Sequence, residues 1–247
     1  MKNLERYTGK AAVAAAFLFL LAGLPPAATA SISVSPVLIE LSARHGKDVV
    51  RVANASDEPK SFEINVVAWT QSEEQREIYA DSGDLVAVPP LFTLEPGGEQ
   101  VVRIGLMRDP DPETERAYRV FITELAPPED EARAQSGINM RLRFGVPVFV
   151  APLADGVKAI DFTGLDSIGG HTFMKLANSG NIRVKITEIR YRSPLEEESA
   201  TSTASFYLHP GKSGLLPLAF PDLNAGGTIE LVTDTAGILE YVLAGNH

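Results

Sequence analysis

Apolar side chains recur at every second position along most of this chain, and this period constrains the fold more than any other feature. Residues 62–68 alternate apolar and polar side chains, and residues 102–106 do the same. Turn-forming clusters such as Glu95-Pro96-Gly97-Gly98 separate these runs at short intervals. A period of two is typical of half-buried β-strands, whereas an amphipathic helix repeats about every 3.6 residues. The sequence therefore predicts an all-β protein.

The alternating segments form two sets. Six or seven strands fit between Ile32 and Val150, which is the strand count of one immunoglobulin-like domain. Ala151-Pro152 ends this set and begins a hinge. The second set predicts strands at 158–163, 172–178, 182–192, 204–208, 214–220, 228–233 and 238–243. We therefore predict two immunoglobulin-like β-sandwich domains, 31–152 and 153–247, joined by a short hinge with a cleft between them.

Residues 1–30 have the features of a secretory signal peptide. A basic start containing Lys2 and Arg6 precedes an apolar run from Ala11 to Leu24, and Ala28-Thr29-Ala30 has the small residues of a cleavage site. The apolar run holds 14 residues, fewer than the roughly 20 that span a bilayer as a helix. We expect cleavage near Ser31, export from the cytoplasm and no membrane anchor after cleavage.

The charge and the cysteine count exclude several classes of partner and site. The net charge of −10 becomes −12 without the leader, which contains three basic residues and one acidic residue. Nucleic acid is therefore not an expected partner, because a phosphate backbone requires clustered Lys and Arg. The chain has no cysteine, so its cores must be stable without disulfides, and thiol chemistry is excluded.

We find no constellation of residues that predicts catalysis, a metal or a cofactor. The histidines, at positions 45, 171, 209 and 247, are isolated and lack the spacing of a zinc site. The acidic run 109–113 lacks the glycine at the sixth position of a calcium loop. Neither a nucleophile elbow nor a phosphate-binding glycine loop occurs. We expect a protein that is not an enzyme.

The longest alternating segment runs from Ile138 to Val150. Its thirteen residues exceed the usual strand length of about 5–6. Pro147 cannot donate a ladder hydrogen bond, which predicts an edge-like stretch. Two interpretations remain open. The segment is either the last core strand of an ordinary sandwich, or its first half projects apolar side chains toward a partner that lacks a strand.

Several segments, in order, resemble the periplasmic pilus-assembly chaperones. They are Val86 to Gly97, with a double proline before E-P-G, then Val101 to Ile104, and Tyr118 to Pro128 with its E-x-P-P ending. The resemblance covers nearly all of the chain after the leader. It implies a periplasmic chaperone that binds pilus or fimbrial subunits by donor-strand complementation and delivers them for assembly, with an outer-membrane usher as a further partner.

The resemblance also implies which residues bind the subunit. By position, the alternating apolar residues of the donor strand are Ile138, Met140, Leu142, Phe144 and Val146. The family's two basic residues that bind the subunit's C-terminal carboxylate match positions near Leu38 and Pro147, and neither is basic here. This departure indicates a divergent branch. We hypothesise that another arginine binds the carboxylate, and the candidates are Arg103, Arg108 and Arg119, each of which could instead be a solvated surface residue.

A secreted structural pilin or adhesin, or another β-sandwich binding module, is the alternative function. Pilins usually carry an N-terminal donor extension and one incomplete domain, whereas residues 32–41 here can be used by the first sandwich itself. An enzyme on a sandwich scaffold is a third possibility, but it would need a constellation of catalytic residues that the sequence does not show.

Overall fold

The computed structural model describes residues 31–72, 76–126, 141–195, 199–220, 223–234 and 237–244. The predicted signal peptide lies outside these ranges. Their regular structure is β-strand, and none of them contains a helix of the length and apolarity needed to cross a membrane. The strands are β1 Ile32–Ser35, β2 Ile39–Leu41, β3 Lys47–Asn54, β4 Lys60–Gln71, β5 Glu77–Asp81, β6 Leu85–Val88, β7 Leu91–Leu94, β8 Glu99–Leu106, β9 Arg116–Glu124, β10 Arg143–Val150, β11 Ile160–Ile168, β12 His171–Asn178, β13 Val184–Arg192, β14 Ser199–Leu208, β15 Ser213–Leu218, β16 Thr228–Thr233 and β17 Ile238–Val242.

Strands β1 to β10 form the first sandwich. One sheet has the order β1-β3-β8-β6, and the other has the order β2-β10-β9-β4-β5 with β7 also pairing with β4. The predicted alternation positions the core: Tyr118, Val120 and Ile122 of β9 are buried between the sheets. The intervening residues of β9 face away from this core, and that outer face of the sheet meets the second sandwich.

The first sandwich has ten strands within the described ranges, so the prediction of six or seven was too low. At two places one strand ends and the next begins as the chain crosses from one sheet to the other. β1 pairs with β3, whereas β2 pairs with β10 after an interval that contains Pro36. β6 pairs with β8, whereas β7 pairs with β4 after Pro89 and Pro90. Proline lacks the N–H that a continuous ladder needs, which explains both interruptions.

Strands β11 to β17 form a second sandwich with its own core. Its sheets have the orders β11-β12-β15 and β14-β13-β16-β17. The seven predicted strands correspond to these seven, with ends that differ by a few residues. Met174, Leu176, Ile186 and Ile229 are among the fully buried side chains. The prediction of two β-sandwich domains is confirmed, while the boundary between residues 152 and 153 remains a prediction.

A buried arginine joins the two sandwiches. The side chain of Arg183, which precedes β13, donates from Nη1 to Glu115 Oε2 at 2.6 Å, and its backbone N–H donates to Glu115 Oε1 at 3.0 Å. Its Nη2 pairs with Glu40 of β2. The guanidinium also lies 3.7 Å from the ring centroid of Phe149 in β10. Burial raises the pKa of Glu115, and the charge of Arg183 opposes that rise.

We expect Glu115→Ala to lower the free energy of unfolding of the full chain by about 3–5 kcal/mol, because it leaves the buried Arg183 without its principal partner. Urea denaturation measures this change. Glu113→Ala is the matched control, since that side chain is exposed, and it should change the free energy by at most about 0.5 kcal/mol. Equal effects of the two substitutions would contradict a stabilising role for the Arg183–Glu115 pair.

Candidate functional site

One edge of β10 is only partly paired. The strand pairs with β9 along its whole length, from Arg143 opposite Thr123 to Val150 opposite Arg116. On its other side β2 pairs only with the last three residues, Val148 to Val150. Within the described ranges no strand pairs with that side of Arg143–Pro147, and we call this stretch the open edge.

The backbone hydrogen bonds show which residues of β10 present polar groups to the open edge. The N–H of Glu124 donates to the carbonyl of Leu142 at 2.9 Å, and the N–H of Ala151 donates to the carbonyl of Leu41 at 2.9 Å. Backbone groups of successive strand residues point to opposite sides. Arg143, Gly145 and Pro147 therefore direct their backbone groups toward the open edge. Because the nitrogen of Pro147 faces the open edge, its lack of an N–H removes no hydrogen bond from the ladder between β9 and β10.

The predicted donor residues divide into three groups. Ile138 and Met140 lie outside the described residues. Leu142 and Phe144 are half-buried and pack against the edge of the first core, whereas Val146 is buried within it at 3% exposure. The core-strand interpretation thus holds for Val146 to Val150. The two earlier apolar residues, Leu142 and Phe144, are half-exposed beside the open edge.

The prediction of a continuous strand from Ile138 was wrong at Arg141 and Leu142, because neither residue is in a strand. β10 begins at Arg143, and its partner β9 ends at Glu124. The last hydrogen bond of this ladder runs from the Glu124 N–H to the Leu142 carbonyl. The described chain offers no further strand for the segment to pair with.

Arg119 lies on the outer face of β9, opposite Pro147 of β10. Its guanidinium is 4.1 Å from the centroid of the Trp69 ring, and its Nη2 donates to Glu77 Oε1 at 3.0 Å. The side chain passes over Gly145, where an added Cβ would be 2.9 Å from Arg119 Cδ. Only glycine at position 145 leaves room for this arrangement.

The structure does not bring the three candidate arginines together. Arg103 is exposed on β8, on the outer face of the opposite sheet, because its neighbours Val102 and Ile104 are in the core. Arg108 is 72% exposed and pairs with Asp84 at 3.3 Å. Arg119 has only 17% of its side chain exposed and faces the second sandwich. Of the three, it alone lies on the outer face of the sheet that contains β10.

His209 follows β14 and fills the contact between the two sandwiches. Its ring centroid lies 4.4 Å from that of Trp69, and its backbone N–H donates to Gln71 Oε1 at 3.0 Å. Burial first, and then the charges of Arg119, Arg183 and Lys212, together lower the pKa of His209 to about 4. The neutral imidazole is therefore the form that fits this interface. An adjoining cleft of about 250 Å³ is lined by both sandwiches.

This interface is short of hydrogen-bond acceptors. Four buried side-chain atoms have no hydrogen-bond partner among the described residues, and all four lie at the contact between the sandwiches: Trp69 Nε1, Arg119 Nε, Arg183 Nε and His209 Nε2. Three of these are N–H donors of Trp and Arg. Among the described residues, no hydrogen bond offsets the cost of removing these donors from water.

Comparison with known proteins identifies the family. The profile of the pili and flagellar-assembly chaperones, PapD N-terminal domain, matches residues 31–155, which is more than half of the chain. The chain belongs to this chaperone family. A comparison with curated proteins finds no match.

Solved chaperone structures share the fold. The complex CsuC–CsuE, a chaperone and tip adhesion subunit of the archaic Csu pili of Acinetobacter baumannii, has a TM-score of 0.66 at 15% identity, covering 85% of this chain and 98% of that chain. The Salmonella enterica SafA pilin in complex with the SafB chaperone has a TM-score of 0.58 at 18% identity, covering 87% of this chain and 97% of that chain. The Pseudomonas aeruginosa CupB2 chaperone has a TM-score of 0.56 at 14% identity, covering 86% of this chain and 100% of that chain. At these identities the likeness shows the two-domain fold.

Sequence reasoning missed Trp69, Glu77 and Gly145, which fix the position of Arg119. The sequence gives one local signal, a glycine within the apolar alternation of the strand, since an interior glycine often marks a close approach. The pairing with Trp69 and Glu77 depends on strands that are distant in sequence. In the ranges described above, no cluster of three or more His, Asp and Glu residues could hold a metal ion.

We expect the titration of His209 alone to lower the free energy of unfolding by about 3 kcal/mol as the pH falls from 6.5 to about 4. The unfolded imidazole takes up a proton below pH 6.5, while the folded one stays neutral until about pH 4. Stability from this group is therefore complete above pH 6.5 and is lost on acidification. Denaturation at several pH values measures the slope. His209→Gln should flatten it, and His171→Gln, at an exposed position, should not.

Proposed function

We propose that this protein is a periplasmic chaperone that binds pilus or fimbrial subunits by donating a β-strand to them. It then releases them for assembly at an outer-membrane usher. The family supports the role, and relatives of the same fold are found with a tip adhesion subunit and with a pilin. Such a role is one of binding and requires no catalytic group.

The open edge of β10 is the observation that carries this proposal. A strand added there would hydrogen-bond to the backbone groups of Arg143, Gly145 and the Pro147 carbonyl, and the alternate side chains would be shared with the partner. Leu142 and Phe144 are half-exposed next to this edge. Ile138 and Met140 continue the same alternation in the sequence.

We expect burial of the donor residues to supply the energy that stabilises an incomplete subunit. Val146 is already buried in its own core and contributes little on binding. Leu142 and Phe144 are already half-buried and gain about half of the roughly 1.5–3 kcal/mol of full burial. With Ile138 and Met140 at the full value, the four residues contribute at most about 4.5–9 kcal/mol before costs. Ordering the side chains and the partner's strand offsets part of this gain.

We expect Leu142→Asp to abolish recovery of the complex with a co-expressed subunit encoded beside this chain, because a carboxylate in an apolar groove costs several kcal/mol. Co-purification with the tagged chaperone measures the yield. Leu165→Asp, at a half-exposed position of β11 (39% exposed), is the matched control and should leave the yield unchanged. Thermal melting of the unbound variants shows that both are folded. Normal yield with a folded Leu142→Asp variant would rule out donation of this strand.

The alternative of a structural pilin or adhesin receives no support from residues 32–41. β1 pairs with β3 and β2 pairs with β10, so both segments are used within the first sandwich. A pilin would need a donor segment that pairs with another molecule. The chaperone role needs only the edge that the fold leaves unpaired.

Arg119 is the best placed of the three candidate arginines to bind the subunit's C-terminal carboxylate. It lies beside Pro147, where the family has a basic residue, and its guanidinium packs on Trp69, which lines the cleft between the sandwiches. Its Nε has no acceptor among the described residues, and its Nη2 pairs with Glu77. A guanidinium binds a carboxylate through two parallel hydrogen bonds. Trp69 would hold the planar group in place during binding.

We expect Arg119→Ala to weaken the complex about tenfold or more, because charge-assisted hydrogen bonds contribute about 1.5–3 kcal/mol. Arg103→Ala and Arg108→Ala are the controls and should leave the affinity unchanged. A subunit extended by two residues at its C-terminus should bind wild type more weakly, and Arg119→Ala should add little to that loss. Additive effects would show that Arg119 does not contact the carboxylate, and an unchanged affinity in all three variants would exclude the hypothesis.

A further inference from the structure

An apolar notch lies beside the open edge of β10. Five residues line it: Val34, Val37, Phe144, Gly145 and Val146. Val34 belongs to the edge strand β1, and Val37 lies in the crossing between β1 and β2. We call this space the β1–β10 notch. Its volume is about 180 Å³.

The notch exists because β1 and β10 belong to different sheets. β1 pairs with β3 as far as Ser35, and β2 joins β10 only from Ile39 opposite Val148. Between these points the two sheet edges face each other without a strand between them. Val34 and Phe144 both pack against the first core from the two sides of this gap. The floor of the notch is therefore the edge of the core.

Val37 is left in solvent at the mouth of the notch. Its side chain is 75% exposed, although the side chains around it are apolar. A water-filled notch with these walls has no polar side chain to bind the water, so replacing that water by an apolar group is favourable. A cavity of about 150 Å³ with apolar walls holds a benzene ring. The notch thus has room for one large aliphatic or aromatic side chain.

The open edge determines where that side chain comes from. A partner strand that pairs with Arg143–Pro147 places its side chains alternately on the two faces of the sheet. Those on the inner face come within about 5 Å of Phe144 and Val146, as cross-strand neighbours do. The next space on that face is the notch. A strand that satisfies the backbone of Gly145 therefore directs a side chain into it.

We propose that the β1–β10 notch receives one large apolar side chain from the bound subunit's own strand. This inference rests on the proposed function. The subunit then accepts side chains from β10 and returns one to the chaperone, so that apolar groups are buried in both directions. The residue that enters the notch contributes to the choice of subunit, because its size must fit a space of about 180 Å³.

The test uses the subunit that co-purifies with the wild-type chain. We expect Val37→Asp to weaken this complex about tenfold to a hundredfold, because a carboxylate at the mouth of the notch opposes entry of an apolar side chain. Val242→Asp, at a 68% exposed position of β17, should leave the affinity unchanged. Both variants should melt as the wild type does, since both sites are exposed.

A second measurement locates the partner's residue. Each apolar residue of the subunit's pairing strand is changed to Ala, alone and together with Val37→Asp. We expect one inner-face position to show strong coupling, such that the combined loss is little larger than either single loss. Additive losses at every position would contradict the entry of a subunit side chain into the notch, while leaving the chaperone role intact. Failure of the wild-type chain to bind any subunit would instead overturn the proposed function, and the notch with it.

The absence of cysteine in this chain allows a direct probe of the same site. The single thiol introduced by Val37→Cys should react with a maleimide at least about tenfold more slowly in the complex than in the unbound chaperone, because the notch is then closed to solvent. The thiol introduced by Val242→Cys should react at the same rate in both. An unchanged rate at position 37 in a verified complex would contradict occupation of the notch.

Discussion

The crossing between β1 and β2 decides how much of β10 the first sandwich keeps paired. Three residues, Pro36 to Leu38, carry the chain from one sheet to the other, and backbone in transit between sheets cannot join either ladder. β2 therefore reaches β10 only at Val148. Three features of the proposed binding site follow from this: the unpaired stretch Arg143–Pro147, the half-exposed side chains beside it and the notch next to β1.

An unpaired strand edge also promotes aggregation, since it offers a template to any extended chain. Here the stretch carries two features that oppose indiscriminate pairing. Arg143 is charged and exposed, and Pro147 offers a carbonyl without an N–H toward the open side. A partner can extend the ladder from Gly145 toward the start of the strand but loses one hydrogen bond at Pro147. The edge thus accepts a short strand in a restricted register.

The sequence period predicted the all-β class, the two sandwiches and an edge-like stretch at Pro147, because alternation and proline chemistry are local. The sheet crossings at Pro36 and Pro89 were missed, since they depend on which strands are neighbours in space. The start of β10 was placed too early for a related reason. Apolar alternation continues to Ile138, but β9 ends at Glu124, and the described residues Arg141 and Leu142 are therefore outside the strand. The position of Arg119 required Trp69 and Glu77, which come from other strands.

The second sandwich holds the same strand that the first leaves partly unpaired. Arg183 contacts Phe149 of β10 and pairs with Glu115 and Glu40, which flank the paired end of that strand. At Phe149, β10 is anchored by a paired strand on each edge and by Arg183 on its outer face. The beginning of β10 has a neighbour on one side only among the described residues. A chain that lends a strand must bind the partner without losing that strand from its own sheet. Because the anchor and the open edge share one continuous strand, the burial at Phe149 resists withdrawal of the strand when a partner pairs with residues 143–147.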